Sequence, residues 1–413
     1  MQDWYIEALE EERFKQKNIS NLIRNVLTLR YDPGQKTTLS VLNSNDFVPS
    51  KQYNPNFIEN TLKNSIQTKL GTAKNLTISL SGGVDSTLIL CLIRKTLPDL
   101  KINAVSIKFA NSNDETLTAK KTADFFEAEH EIISLENYLL ELPMAISIIG
   151  LPFWDIHWYY IAKNAKNKSS FLASGDGGDE IFGGYTFRYS KFLSLVKNNS
   201  SPLDKIQAYL LCHERDWVHD QEKIFNQKTN FLWNKIHLIF QPFFDNSLSL
   251  LNQVFLADYN GKLLYNFSII NNKINQFFNL KSVTPILEPQ LIAYASHLSP
   301  KFKYNSYENI GKLPLRTLLS KYRCDSLVSK EKLGFSVNTI NLWNSIGKEL
   351  CNQYLNNARI VEDGWINKEW ISFHITKSDL DVRYVNKFLG LLSLEIWYRI
   401  FITKEMNVRT KLS

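Results

Sequence analysis

Apolar positions recur at two different periods along the chain. Residues 54–70 carry Phe57, Ile58, Leu62, Ile66 and Leu70 near helical spacing, which predicts an amphipathic helix. From Asn75 short apolar runs alternate with helical ones. A strand is predicted over 76–80, a helix over 86–97, a strand over INAVSI (102–107) and a helix across 115–127. A third strand (130–134) leads to a helix over 136–148. A helix over 156–165 precedes a fourth strand in SFLASG (170–175). Strands alternating with helices predict an α/β fold, a parallel twisted sheet with helices on both faces. Upstream, helical patterns cover about 3–15 and 19–29 and end at the turn YDPG. Beyond Tyr185 the strand signals fade into helices rich in Phe, Leu and Trp, with polar breaks near 197–202 and 222–230. Further helices follow over 311–322, 343–356 and 385–402.

The pattern divides the chain into N-terminal helices and a linker (1–53), an α/β core (54–190) and a mostly helical C-terminal region (191–413). With 413 residues and 44% hydrophobic content, there is enough apolar material for more than one core. Lys and Arg number 48 against 41 Asp and Glu, a net charge of +7. That suits a polyanionic ligand, but no basic run or basic helical face marks a nucleic-acid protein. Cys91, Cys212, Cys324 and Cys351 are far apart and never in a CxxC, so they read as reduced packing thiols. The first residues are amphipathic and acidic, unlike a signal peptide. No apolar run is long enough to span a membrane. A cytoplasmic location is expected.

Two loops carry the chemistry. Leu76–Ser86 reads LTISLSGGVDS: a strand, a Gly-rich turn and a helix start. Gly82 and Gly83 let backbone N–H groups approach an anion. The helix start adds unpaired donors and a positive dipole end. The spacing of a Walker A loop is absent. The second loop, Ser174–Tyr185, reads SGDGGDEIFGGY. Both loops follow predicted strands, so both belong at the carboxyl edge of the sheet, where ligands bind. A Mg²⁺ ion on a triphosphate takes one or two carboxylates plus phosphate oxygens. Asp85 and Asp179 would supply them.

The pair SGGVDS and SGDGGDEIFGGY resembles the synthetase domain of the glutamine-dependent, B-type asparagine synthetases, which β-lactam synthetases and lasso-peptide cyclases share. SGGxDS alone also occurs in tRNA-lysidine synthetases, tRNA thiolases and GMP synthetases. LTLRYDP (27–33), SIKFANSNDE (106–115), GKLPLRTLL (311–319), KEKLGFSV (330–337) and LLSLEIWYRIF (391–401) resemble further stretches of the family. The resemblance implies an ATP-pyrophosphatase fold of the adenine-nucleotide α-hydrolase type. It implies that Ser81, Gly82, Gly83, Asp85 and Ser86, with Gly175, Asp176 and Gly177, hold ATP and its Mg²⁺. Asp179 would be the second metal carboxylate, and Leu80 and Ile107 would contact the adenine. Lys332, or in the alternative register Lys330, would stabilise charge at the α-phosphate, with Arg316 a weaker candidate for the same cluster.

The chain also departs from the family. The family's typical glutaminase domain, with its N-terminal cysteine, has no counterpart among the residues before the first loop. Free ammonia or a separate glutaminase subunit is therefore the expected nitrogen source. The run DRxSMAxSLEVRxPFLD becomes NKINQFFNLKSVTPILE (272–288), and Gly150 and Leu151 replace acidic residues before Pro152 and Phe153. The expected function is an ATP-dependent amide-forming ligase that adenylates a carboxylate and passes it to ammonia or an amine, with aspartate as the acceptor by family frequency. Alternatives are amidation or cyclisation of another carboxylate (a secondary metabolite, a sugar acid or a peptide), and adenylation of a tRNA base in the manner of lysidine synthetases. A non-catalytic subunit is a further alternative. No membrane partner is expected, and no nucleic-acid partner under the leading reading.

Overall fold

The computed structural model describes residues 2–109, 116–328 and 338–413. Strands β1 (Asn75–Ser79), β2 (Lys101–Phe109), β3 (Glu129–Leu135), β4 (Phe171–Ala173) and β5 (Lys281–Val283) form one parallel sheet in the order β3–β2–β1–β4–β5. Helices α1 (Gln2–Leu29), α2 (Pro55–Leu70), α3 (Val84–Thr96), α4 (Thr116–Phe125), α5 (Leu142–Ile149), α6 (His157–Ala165) and α7 (Gly178–Phe182) accompany it. Side chains alternate across a strand. Leu76, Ile78, Ile102, Ala104 and Ala173 therefore enter one core with α2, α3 and α4. Ile107, Phe109 and Leu172 enter a second core with α5, α6 and the C-terminal helices.

α3 is apolar on every side, with Leu88 to Ile93 all buried. It lies between the sheet and an outer layer of α2 and the helix Leu313–Lys321. The last long helix, Val382–Phe401, is also buried along most of its length and packs on α1, α5 and Lys348–Leu355. No helix among the described residues is long and apolar enough to cross a membrane.

Around the main sheet, three elements differ from the sequence expectation. The two N-terminal patterns are one helix, because the polar run Lys15–Asn18 contains no Gly or Pro to stop it. The helix expected over 136–148 begins only at Leu142. Asn137 accepts from the Leu139 N–H at 2.9 Å and makes a turn there, and Pro143 sits in the first helical turn. The third is β5, which arises inside the divergent segment 272–288. The Ser174 N–H donates to the Val283 carbonyl at 3.1 Å, so β5 fixes the start of the second loop.

Candidate active site

The order of strands reverses between β1 and β4. Chains leave these neighbours toward opposite sides, and a crevice opens beyond their carboxyl ends. Residues 80–83 and 174–177 occupy that crevice. Gly82 adopts φ +72°, and a Cβ there would lie 3.0 Å from the Ala119 nitrogen. Ser81 and Ser86 join their hydroxyls at 3.1 Å across the turn, and the Gly83 N–H reaches Ser81 Oγ at 3.3 Å. Gly83 precedes α3 with no side chain capping it, so the first N–H groups of the helix keep their capacity for an anion. Leu80 is buried. Its carbonyl accepts from Ser106 Oγ at 2.5 Å, and Ser106 in turn bonds His130 Nε2 at 2.9 Å. Ile107 is also buried at this edge.

The second loop folds directly onto the first. A Cβ on Gly175 would lie 2.6 Å from Asp85 Cβ, and one on Gly178 would lie 2.3 Å from the Asp85 carboxyl carbon. Gly177 takes φ +89° and Gly183 φ +73°, which confine the turn on either side of α7 to residues without a side chain. Asp85 and Asp179 then converge on one cation that the sequence reading did not single out. Lys312 Nζ lies 2.6 Å from Asp85 Oδ2 and 3.0 Å from Asp179 Oδ1. Lys312 stands in the left-handed region at φ 57° just before the helix Leu313–Lys321, and its N–H donates to the Phe182 carbonyl at 3.1 Å. Burial works against its charge. Asp179 and then Asp85 outweigh burial, so its pKa lies above the usual lysine value. The only sequence signal was its place in GKLPLRTLL. Arg316 lies one turn on, with Nε 3.2 Å from the Gly311 carbonyl.

Two carboxylates within reach of one ammonium are also within reach of one divalent cation. With oxygen-only donors, phosphate needed to complete the shell, and glycine all around, the residues fit Mg²⁺ on a nucleotide. Among the described residues no group of three or more His, Cys, Asp or Glu could hold a metal alone. Lys332, Lys330 and residues 110–115 lie outside the described residues.

Asp176 points to the other side of the loop. It accepts from Asn271 Nδ2 at 2.8 Å, and burial raises its pKa against its hydrogen bonds and the nearby His157. Glu180 is buried as well, and its pKa is pushed up to about 7 by burial and by Asp179. His157, which feels the charge of Asp176, meets Asp155 Oδ1 with its Nδ1 at 3.1 Å. Neither residue stood out in the sequence, although both follow the noted Pro152–Phe153.

Two glycine-rich acidic loops meeting at the switch point of a parallel sheet define a nucleotide-binding α/β protein. The chain belongs to the asparagine synthase family, whose model matches residues 58–399. It is similar to glutamine-hydrolyzing asparagine synthetase 1 of Bacillus subtilis, 35% identical over 136 residues, which are 32% of this chain and 20% of that protein. It is also similar to a putative glutamine-hydrolyzing asparagine synthetase of Methanocaldococcus jannaschii, 31% identical over 117 residues, 26% of this chain and 22% of that one. The matched stretches span about a fifth of the length of these curated relatives. Among solved structures, NMN synthetase from Francisella tularensis aligns with 51% of this chain and 94% of its own at 15% identity and a TM-score of 0.26. The family and the α/β fold expected from the two loops are those found.

Proposed function

We propose that this protein is an ATP-dependent ligase that makes an amide through an acyl-adenylate. A substrate carboxylate oxygen attacks the α-phosphorus of ATP and pyrophosphate leaves. A nitrogen nucleophile then attacks the acyl carbon, the carbon–oxygen bond to AMP breaks, and the nitrogen gives up a proton. The observation that carries this reading is the convergence of Asp85 and Asp179, from two different loops, on one cation at the switch point.

Each group has a place in that reaction. The backbone of Ser81–Gly83 and the start of α3, with Ser86, receive the pyrophosphate. Leu80 and Ile107 border the adenine, and Gly175, Asp176 and Gly177 close the site from the second loop. Asp85 and Asp179 would hold Mg²⁺, which supplies charge neutralisation on the phosphates when bound. Lys312 is a fixed cation in a largely buried position, and such a cation offsets the repulsion between carboxylate and phosphate. Lys332 is assigned the same task nearer the α-phosphate. Aspartate is the acceptor of this reading, with ammonia or a separate glutaminase as the nitrogen source and the cytoplasm as the setting.

The test is pyrophosphate release from ATP and Mg²⁺ in the presence of aspartate and ammonium. Asp85→Asn and Asp179→Asn should each abolish release while thermal unfolding stays cooperative. Near-normal release by either variant would remove the metal assignment. Turnover with another acid but none with aspartate would keep the mechanism and replace the acceptor.

A further inference from the structure

β1 ends one hydrogen bond short of what its register allows. It runs parallel to β2 with Ser79 opposite Val105, and just past its end the Leu80 N–H still donates to the Val105 carbonyl at 2.9 Å. The bonds of a parallel ladder are evenly spaced, so the next one would run from the Ile107 N–H to the Leu80 carbonyl. Among the described residues no main-chain hydrogen bond joins Ile107 to Leu80. A side chain takes the Leu80 carbonyl instead, the Ser106 hydroxyl at 2.5 Å.

That hydroxyl is itself oriented. A carbonyl only accepts, so the single proton of Ser106 is spent on Leu80. Toward His130 Nε2, 2.9 Å away, the hydroxyl then accepts, and Nε2 carries the proton. Burial lowers the His130 pKa, so the ring is neutral at pH 7 and its one proton sits on Nε2. The sheet brings the two side chains together. His130 lies opposite Ala104, and Ala104 and Ser106 share a face because they are two residues apart. A relay from His130 through Ser106 thus sets the direction of the carbonyl that immediately precedes Ser81.

The relay decides what β2 can offer a ligand. Alternate residues of a strand present their main-chain groups to the same neighbour. Val105 faces β1, and Ile107 faces the same way past the end of β1. What lies there is the crevice, and the Ile107 N–H opens onto it.

We propose that Ser106 and His130 are positioning residues for the nucleotide base: they draw the Leu80 carbonyl out of the ladder and so keep the Ile107 N–H open to a ring nitrogen of the base. This rests on the proposed use of ATP and adds how the base is selected. N1 of adenine accepts a hydrogen bond, whereas N1 of hypoxanthine carries a proton and cannot. A site built around a buried donor rejects a base that leaves the donor unpaired.

The test is binding by titration calorimetry with Mg²⁺ and no carboxylate, using ATP, inosine triphosphate and inorganic pyrophosphate as probes. Ser106→Ala frees the Leu80 carbonyl for Ile107. It should weaken ATP at least tenfold and inosine triphosphate less than threefold, and leave pyrophosphate within twofold. Ser106→Thr, which keeps the hydroxyl, should restore ATP binding. His130→Leu should behave like Ser106→Ala and carries the same test if that variant does not fold. His130→Gln, which keeps an N–H donor, should recover part of the loss. Unchanged ATP binding in Ser106→Ala and His130→Leu would overturn the proposal. So would equal weakening of all three probes, which marks a collapsed loop rather than a misread base. Failure of the ligase reading looks different: ATP would bind with this base selectivity, and no acid would support ATP–pyrophosphate exchange.

Discussion

At the scale of single residues, the site depends on what is missing from side chains as much as on what they carry. Gly178 leaves the space that the Asp85 carboxylate fills. Gly178→Ala should therefore lower pyrophosphate release by about 100-fold, the cost of an ångström-scale misplacement, while the far-ultraviolet spectrum stays unchanged. Lys312 supplies the cation that Asp85 and Asp179 share. Breaking such a pair by removing one partner costs about 3 kcal/mol, so Lys312→Met should melt lower than the parent in metal-free buffer. Added Mg²⁺ should then raise its melting temperature more than the parent's. An equal rise in both would show that the two acids do not act on one cation.

Lys303 is a different case. It is fully buried, its ammonium rests over Phe255 at 5.0 Å, and burial pushes its pKa down to about 7. Between pH 7 and the ordinary lysine value the unfolded chain holds more protons than the folded one, so this residue makes stability rise with pH. Lys303→Met should stabilise at pH 7 by a few kcal/mol, on the order of the shift. The gain should shrink toward pH 10, as urea midpoints of both proteins would show.

At the scale of elements, the divergent segment 272–288 is a built part of the sheet. Asn275, buried, accepts from Trp158 Nε1 at 2.9 Å and donates to Ser282 Oγ at 2.8 Å, tying α6 to β5. Asn275→Leu strands both partners, and at about 1–3 kcal/mol for each buried unsatisfied group it should lower the urea midpoint clearly. It should also loosen Asn271, one turn earlier, and so raise acceptor KM more than ATP KM. The sequence made the strands next to the loops legible for a plain reason. Buried parallel strands are short continuous apolar runs, and each of the two that bear on the site ends in a Gly-rich acidic loop. β5 was hidden because KSV is three residues long, polar in two of them, and sits at an edge. Lys312 and His157 were hidden for another reason: each lies in a stretch whose pattern was noticed, but only tertiary packing brings it to the crevice. A left-handed φ at Lys312 leaves no signature in residue type, since it is neither Gly nor Asn.

At the scale of the whole molecule, the two cores are not separable. β2 sends Ala104 into one and Ile107 into the other, and β4 divides Leu172 and Ala173 in the same way. Trp154, Trp158, Trp343, Trp365, Trp370 and Trp397 all belong to the second core. Tryptophan fluorescence should therefore lose its native signal at the same urea concentration as the circular dichroism of the whole chain, and separate transitions would show cores that fold alone. Sharing has a further consequence for how the molecule is made. Lys312 follows Asp179, the later of the two acids, by 133 residues (312 − 179). At roughly 5–20 residues per second a ribosome needs about 7–27 s to cover that gap. During this interval both acidic loops have emerged and their lysine has not been synthesised. The half-made crevice is then a pair of carboxylates awaiting a cation, and under the proposed metal assignment dissolved magnesium would be the one at hand until the lysine arrives.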